Sequence, residues 1–165
     1  MMILSQYWFR LALPLVAFAI AATPVAARLG DRLASVSTDA AAMRAQVATR
    51  SMDGYARHDL TRANGGNVRE FTNAAGAVFA VTWSGPGKPD LRSLLGPYFS
   101  QLQPAAHGNG RATGRMMPGM RRPMLIDQSD LRIRATGHMG WFHGVAYIPS
   151  LVPPGFDLAQ LDPVQ

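Results

Sequence analysis

The side chains of this chain with the most direct chemical potential are its four histidines, because imidazole titrates near neutral pH. They are His58, His107, His138 and His143. His138 and His143 lie on either side of Trp141 and Phe142, and their spacing differs from the i, i+4 pair of a helical zinc site. On a β-hairpin, however, the two imidazoles could face each other across the turn, so a shared site stays open.

A metal site at this histidine pair would need a third ligand, because zinc sites use at least three protein side chains. The candidates in the sequence are Asp127, Asp130 and His58. The simpler interpretation is one surface histidine and one partly buried histidine. We therefore predict no metal and no cofactor. A small envelope enzyme or metal binder that uses His138, His143 and an aspartate is the alternative.

Other catalytic patterns are weak in this sequence. It contains no cysteine and no Gly-x-Ser-x-Gly nucleophile elbow. A glycosidase needs two carboxylates on either side of a cleft. Glu70 is the only glutamate and follows Arg69, so an internal ion pair is the simpler interpretation of that residue. The sequence therefore favours a role without catalysis over an enzyme.

Aromatic side chains and one rigid turn indicate where a ligand would bind. The Gly-Pro-Gly-Lys-Pro turn over 85–89 follows an apolar segment and carries the only lysine of the chain. The predicted binding residues are Trp83, Lys88, His138, Trp141 and His143. The alternative is that the rings belong to the core, since large aromatic side chains dominate protein cores.

The chain is basic, with a formal net charge of +6. Such a charge favours anionic partners such as lipid or polysaccharide, and a plain solvated surface is the simpler alternative. Segment 104–123 is rich in Gly, Arg, Met and Pro and is predicted to be a mobile loop, either functional or simply disordered. The loop arginines that could contact an anionic surface are Arg111, Arg115, Arg121 and Arg122. No nucleic acid is expected, because no basic stripe is interleaved with aromatic residues.

Residues 1–27 have the three parts of a secretory signal peptide. Arg10 supplies the basic region, an apolar run shorter than a membrane span follows, and small residues lead to the cleavage site. We predict cleavage between Ala27 and Arg28, which would release the domain 28–165 into the periplasm or outside the cell. The lack of cysteine also excludes disulfides and a lipid-modified cysteine, so no membrane anchor is expected after cleavage.

The periodicity of apolar residues predicts an antiparallel sheet with helices packed on it. The segments predicted as strands are 47–52, 55–62, 68–72, 77–83, 124–127, 131–135 and 141–148. A short helix is predicted over 35–46, with Ser35 as its cap. An apolar stripe after Asp90 predicts the main amphipathic helix over 91–102, although Pro97 favours a kink. The fold class is therefore α+β, with about six or seven strands, one main helix and a short N-terminal helix.

The strand predicted over 77–83 differs from the others because it is apolar on both faces. Alternation places Phe79, Val81 and Trp83 on one face of the sheet. A strand that is apolar on both faces is typical of a sheet interior. We therefore predict that this strand is central.

One long segment of the chain resembles a known family. It runs from Val78 through Trp83-Ser84-Gly85-Pro86 to Tyr98-Phe99. This segment is similar to that of a proteobacterial group of small exported proteins classed only as a domain of unknown function. Further similar features are Leu29-Gly30, Arg69-Glu70-Phe71, Gly137-His138 and Ala146-Tyr147-Ile148-Pro149. The resemblance spans most of the chain after residue 27 and implies export and a single domain, but no activity.

The sequence thus predicts an exported protein that binds or assists an unidentified partner at the cell envelope. The alternative, an enzyme or metal binder, requires a specific arrangement of side chains. The side chains of His138, His143 and an aspartate would have to converge in one pocket.

Overall fold

Seven antiparallel strands form one sheet in the computed structural model, which describes residues 28–101, 124–128 and 130–163. The strands are β1 (Gln46–Ser51), β2 (Tyr55–Thr61), β3 (Asn67–Asn73), β4 (Val78–Pro86), β5 (Met124–Gln128), β6 (Leu131–His138) and β7 (Trp141–Tyr147). Their order across the sheet is β1-β2-β3-β4-β7-β6-β5. The helices α1 (Ala34–Met43) and α2 (Leu91–Leu95) pack on this sheet. The predicted α+β class is confirmed.

The turn between β6 and β7 is tighter than the gap between the predicted strands 131–135 and 141–148. Only Met139 and Gly140 lie outside the two strands, and their φ angles are 43° and 83°. Two successive residues with positive φ are typical of a type I′ hairpin turn, whose twist matches that of the strands it joins. His138 and Trp141 are therefore strand residues, and they pair directly with each other.

Strand β4 is the central strand, as predicted, and its residues are largely buried on both faces. The β3–β4 register shifts near Phe79, so β4 carries an extra residue there. Such a bulge breaks the alternation of side chains between the two faces. Phe79 consequently packs in a different core cluster from Val81 and Trp83. The prediction that these three side chains share a face is wrong.

The two faces of the sheet are covered differently. The first face is the one on which α1 and α2 pack, and it holds the larger core. The second face is covered at one end by the segment 149–161. Within that segment, the Phe156 ring contacts Tyr55, Phe71 and Phe79 at centroid distances of 4.9, 5.8 and 5.0 Å. Beyond that end, exposed side chains such as Leu125 and Trp141 lie on the second face.

Helix α1 begins one residue earlier than predicted and without a side-chain cap. The residue before it is Leu33, whose side chain offers no hydrogen-bond acceptor to the first turn. Ser35 is buried inside the first turn, where its hydroxyl donates to the carbonyl oxygen of Arg32. The prediction that Ser35 caps this helix is therefore wrong.

Helix α2 begins at its predicted cap. Asp90 Oδ1 accepts hydrogen bonds from the backbone N–H groups of Arg92 and Ser93, at 3.0 and 3.3 Å. The α-helix ends at Leu95, because Gly96 has a φ of 50° and the chain then continues as a 3₁₀ turn over Gly96–Tyr98. Pro97 lacks the N–H group that a continuous helix would use. The apolar stripe predicted over 91–102 is thus interrupted by this turn, and α-helical residues resume at Phe99.

Some predictions fall outside the described residues. They are the signal peptide over 1–27, His107, and the loop over 104–123 with its arginines. In the ranges that the structure does describe, none of the helices has the length and apolar character needed to cross a bilayer.

Candidate ligand-binding groove

A groove of about 760 Å³ lies on the second face of the sheet. Its floor consists of residues from β5, β6 and β7, and the segment 158–163 forms one wall. Side chains alternate between the two faces of a strand. In β6 this alternation buries Leu131, Ile133 and Ala135 in the first core and directs Arg132 and Arg134 into the groove.

The two groove arginines have different electrostatic surroundings. Arg132 pairs in register with Asp127 of β5, and its Nε lies 2.8 Å from Asp127 Oδ1. Arg134 is exposed, and no carboxylate of the described residues forms an ion pair with it. The groove therefore offers one guanidinium group that is not already neutralised.

Apolar side chains surround Arg134. In the register of the sheet it lies directly opposite Leu125 of β5 and Val145 of β7, on the same face. Leu125 is 63% exposed, and Leu158 in the facing wall is 48% exposed. The groove thus combines a cationic group with accessible apolar surface. Asp162, at the end of the wall, also contributes to the lining.

A second charged cluster lies farther along the same face. Asp59 of β2 forms ion pairs with Arg57, at 3.0 Å, and with Arg69 of β3, at 3.4 Å. Both arginines of this cluster thus have a carboxylate partner. Arg134 therefore remains the better candidate for contact with a ligand.

The predicted binding residues occupy three environments. Trp83 is 2% exposed and packs in the first core, so its ring is not accessible to a ligand. His143 is half-buried and lines the groove. His138 and Trp141 lie on the same face, beyond the end of the groove. Lys88 is exposed in a loop whose Gly87 N–H donates to Gly140 O at 2.9 Å, beside the hairpin turn.

The structure does not bring the predicted metal ligands together. His143 pairs with Thr136 and His138 pairs with Trp141, so the two histidines are diagonal neighbours rather than opposite residues. Asp130 accepts hydrogen bonds from the backbone and hydroxyl of Ser150. Within the described ranges, no three His, Asp or Glu side chains are arranged to hold a metal ion.

His58, the third candidate ligand, is buried on the other side of the sheet. Its Nδ1 lies 2.9 Å from Thr49 Oγ1, and its Nε2 lies 3.1 Å from Thr72 Oγ1. Burial lowers the pKa of His58, and the nearby charge of Asp59 opposes that shift. Both ring nitrogens are engaged by threonine hydroxyls, so this side chain is a hydrogen-bonded core residue.

Glu70 has a different partner from the predicted one. Adjacent strand residues point to opposite faces, and Arg69 accordingly pairs with Asp59 on the second face. The predicted Arg69–Glu70 ion pair is therefore wrong. Glu70 is buried on the first face, where burial, the charge of Asp39 and a hydrogen bond with Asp39 raise its pKa to about 9. This carboxyl pair belongs to the core and does not line the groove.

A family model matches residues 25–161, described as a protein of unknown function (DUF2844). The chain belongs to the DUF2844 family. The comparisons with curated proteins and with solved structures found no match. In this DUF2844 member, the matched range contains β1 to β7 and the groove residues up to Leu161. The family description assigns no activity to the groove.

The sequence of this DUF2844 domain contains a signal for the groove that lies outside the predicted binding residues. The segment 131–135 alternates apolar residues with arginines. This pattern predicts a strand with one buried face and one cationic face. The pattern does not show which strands lie beside β6, and the groove depends on those neighbours.

Proposed function

We propose that this chain is an exported binding protein of the cell envelope without catalytic activity, and that the groove holds an anionic ligand with an apolar body. The observation that carries this proposal is the exposed Arg134 guanidinium with apolar side chains on either side of it. The ligand class follows from the chemistry of these groups.

A guanidinium group binds carboxylate or phosphate through two parallel hydrogen bonds. Leu125, Val145 and Leu158 provide apolar surface beside it, which favours a ligand with a hydrocarbon portion. The groove volume of about 760 Å³ lies within the range of roughly 300–1,000 Å³ that is typical of small-molecule sites. The envelope as the place of action is supported by the signal-peptide pattern of 1–27.

Decanoate is a suitable probe, because it joins a carboxylate to a flexible apolar chain. We expect titration calorimetry of the protein from an exporting host to show saturable binding of decanoate. Arg134→Ala should weaken this binding about tenfold, which corresponds to the loss of one charge-assisted contact. Leu158→Ala should weaken it less, since it removes apolar surface alone.

The control variant is Arg50→Ala, which removes an exposed arginine on β1, outside the groove. It should bind decanoate as the wild type does. Decyltrimethylammonium has the same chain with the opposite charge and should not bind measurably. Equal binding of both compounds, or unchanged decanoate binding by Arg134→Ala, would refute the groove as an anion site.

A further inference from the structure

Strand β1 forms one edge of the sheet, and its outer side is open in the described structure. All six of its residues, Gln46–Ser51, are exposed. The strand pairs with β2 in an uninterrupted register. An edge strand of this kind can add a further strand through its free main-chain groups.

The direction of the free main-chain groups follows from the hydrogen bonds to β2. The N–H of Met52 donates to the carbonyl oxygen of Tyr55 at 2.9 Å. In an antiparallel pair, hydrogen-bonded and non-hydrogen-bonded positions alternate. Val47, Thr49 and Ser51 therefore direct their N–H and C=O groups away from β2, toward the open side.

Strand β1 has only one of the features that usually prevent pairing at a sheet edge. Natural edge strands are protected by charged side chains, especially lysine, by proline, by bulges or by a covering segment. Gln46–Ser51 contains neither lysine nor proline and has no register shift. Arg50 is its only charged residue, and this charge can be accommodated if it faces a small side chain.

We infer that β1 pairs antiparallel with β1 of a second copy of this chain, in a symmetric register centred on Thr49. In this register Thr49 lies opposite Thr49 of the second copy, and Val47 lies opposite Ser51. Each of these pairs exchanges two main-chain hydrogen bonds, so all three outward-facing residues are satisfied. The two sheets then continue across a two-fold axis.

The register centred on Thr49 is favoured over its neighbours by hydrogen bonding and by charge. Centring the pair on Ala48 would leave the outward groups of Ser51 unused. Centring it on Arg50 would place the two arginines directly opposite each other, and like charges in that position are destabilising. With Thr49 at the centre, Arg50 of each copy faces Ala48 of the other at a close, non-hydrogen-bonded position.

Substitutions at Ala48 test this arrangement through charge. Ala48→Glu would place a carboxylate opposite Arg50 of the second copy, whereas Ala48→Lys would place a second cation there. We expect sedimentation velocity to show a dimer of the wild type, about tenfold tighter association of Ala48→Glu and about tenfold weaker association of Ala48→Lys. The controls are Ser37→Glu and Ser37→Lys, at an exposed position on α1, and both should associate as the wild type does.

Hydrogen exchange of the β1 amides gives an independent readout on the same samples. The amides of Val47, Thr49 and Ser51 should become protected as the protein concentration rises. A monomer whose β1 amides exchange freely would overturn the inference. A monomer with protected β1 amides would also overturn it, because another segment of the same chain would then cover the edge.

Discussion

Glu70 of β3 lies beneath Asp39 of α1 in the first core, and each of the two residues is 1% exposed. Ionised carboxylates accept hydrogen bonds but donate none. Neither Glu70 oxygen accepts a hydrogen bond from a donor of the described residues. A proton held by Glu70 supplies the missing donor to the pair, which agrees with its pKa of about 9. Docking of α1 on the sheet is thereby coupled to proton binding.

Because of this coupling, the stability of the protein should fall as the pH rises. Between pH 4.5, the ordinary pKa of glutamate, and about 9, the folded chain keeps a proton that the unfolded chain has lost. The free energy of unfolding then decreases by up to about 1.4 kcal/mol per pH unit. Glu70→Gln removes the titration and keeps the shape, so its stability relative to the wild type should rise from pH 5 to pH 9. Urea denaturation across that range measures the difference.

Two comparisons isolate the effect of Glu70 from other titrations. His58 has a lowered pKa and costs stability as the pH falls below its ordinary value of 6.5, but this contribution is common to both proteins and cancels. Asp53→Asn changes an exposed turn carboxyl and should keep the wild-type slope. If the stability of Glu70→Gln relative to the wild type did not change between pH 5 and pH 9, Glu70 would not hold a proton in the folded chain.

Gly144→Ala should destabilise the fold by about 1–3 kcal/mol, which is the usual cost of overpacking. A Cβ at this position would lie 2.4 Å from Trp83 Cζ2 and 2.7 Å from the main-chain oxygen of Arg134. Because one obstacle is a core ring and the other is backbone, neither can move away easily. Thermal unfolding measures the loss. Gly54→Ala is not a matched control, because Gly54 has a φ of 77°. Ala56→Gly in β2 serves instead, because it measures the general effect of exchanging alanine and glycine in a strand.

Asp90→Ala should destabilise the protein by about 1 kcal/mol, as expected for the loss of a helix N-cap. Although burial opposes the shift, hydrogen bonds from Ser93 and Arg92 hold the pKa of Asp90 below its ordinary value. Asp90→Asn should keep most of the stability, since asparagine is also a good N-cap. Denaturant titration distinguishes the two variants. Equal losses for alanine and asparagine would mean that the charge of Asp90 matters more than its capping.

Arg28 is the expected N-terminal residue of the protein when it is produced in a host that exports it. The small residues Val25 and Ala27, at the −3 and −1 positions of this site, match the requirement of signal peptidase. N-terminal sequencing of the secreted fraction tests this expectation. Recovery of an intact Met1 terminus from the membrane fraction would contradict it.

Local sequence patterns predicted most of the secondary structure because each element depends on its own residues. Alternation and turn residues located the strands, and the Asp90 cap located the start of α2. The β4 bulge at Phe79 was missed because it depends on how β3 and β4 pair. The interruption at Gly96 was only partly predicted, since Pro97 indicated a kink rather than an early helix end.

The groove was less predictable because it forms between elements that are distant in sequence. Arg134 lies beside Leu125 and faces a wall that contains Leu158, and no local pattern connects these residues. The same reason applies to Asp39 and Glu70. Each looked like an ordinary charged residue of its own element, and only the docking of α1 on β3 makes them a pair.

The contact between Trp83 and Gly144 gives the protein an internal optical probe. The indole lies in the first core against β7, and the residues on either side of Gly144, His143 and Val145, line the groove on the reverse side of the same strand. In the predicted mature chain, Trp141 is the other tryptophan and is 49% exposed. A Trp141→Phe variant would thus leave one shielded fluorophore, whose emission can report movements of the groove floor without an added label.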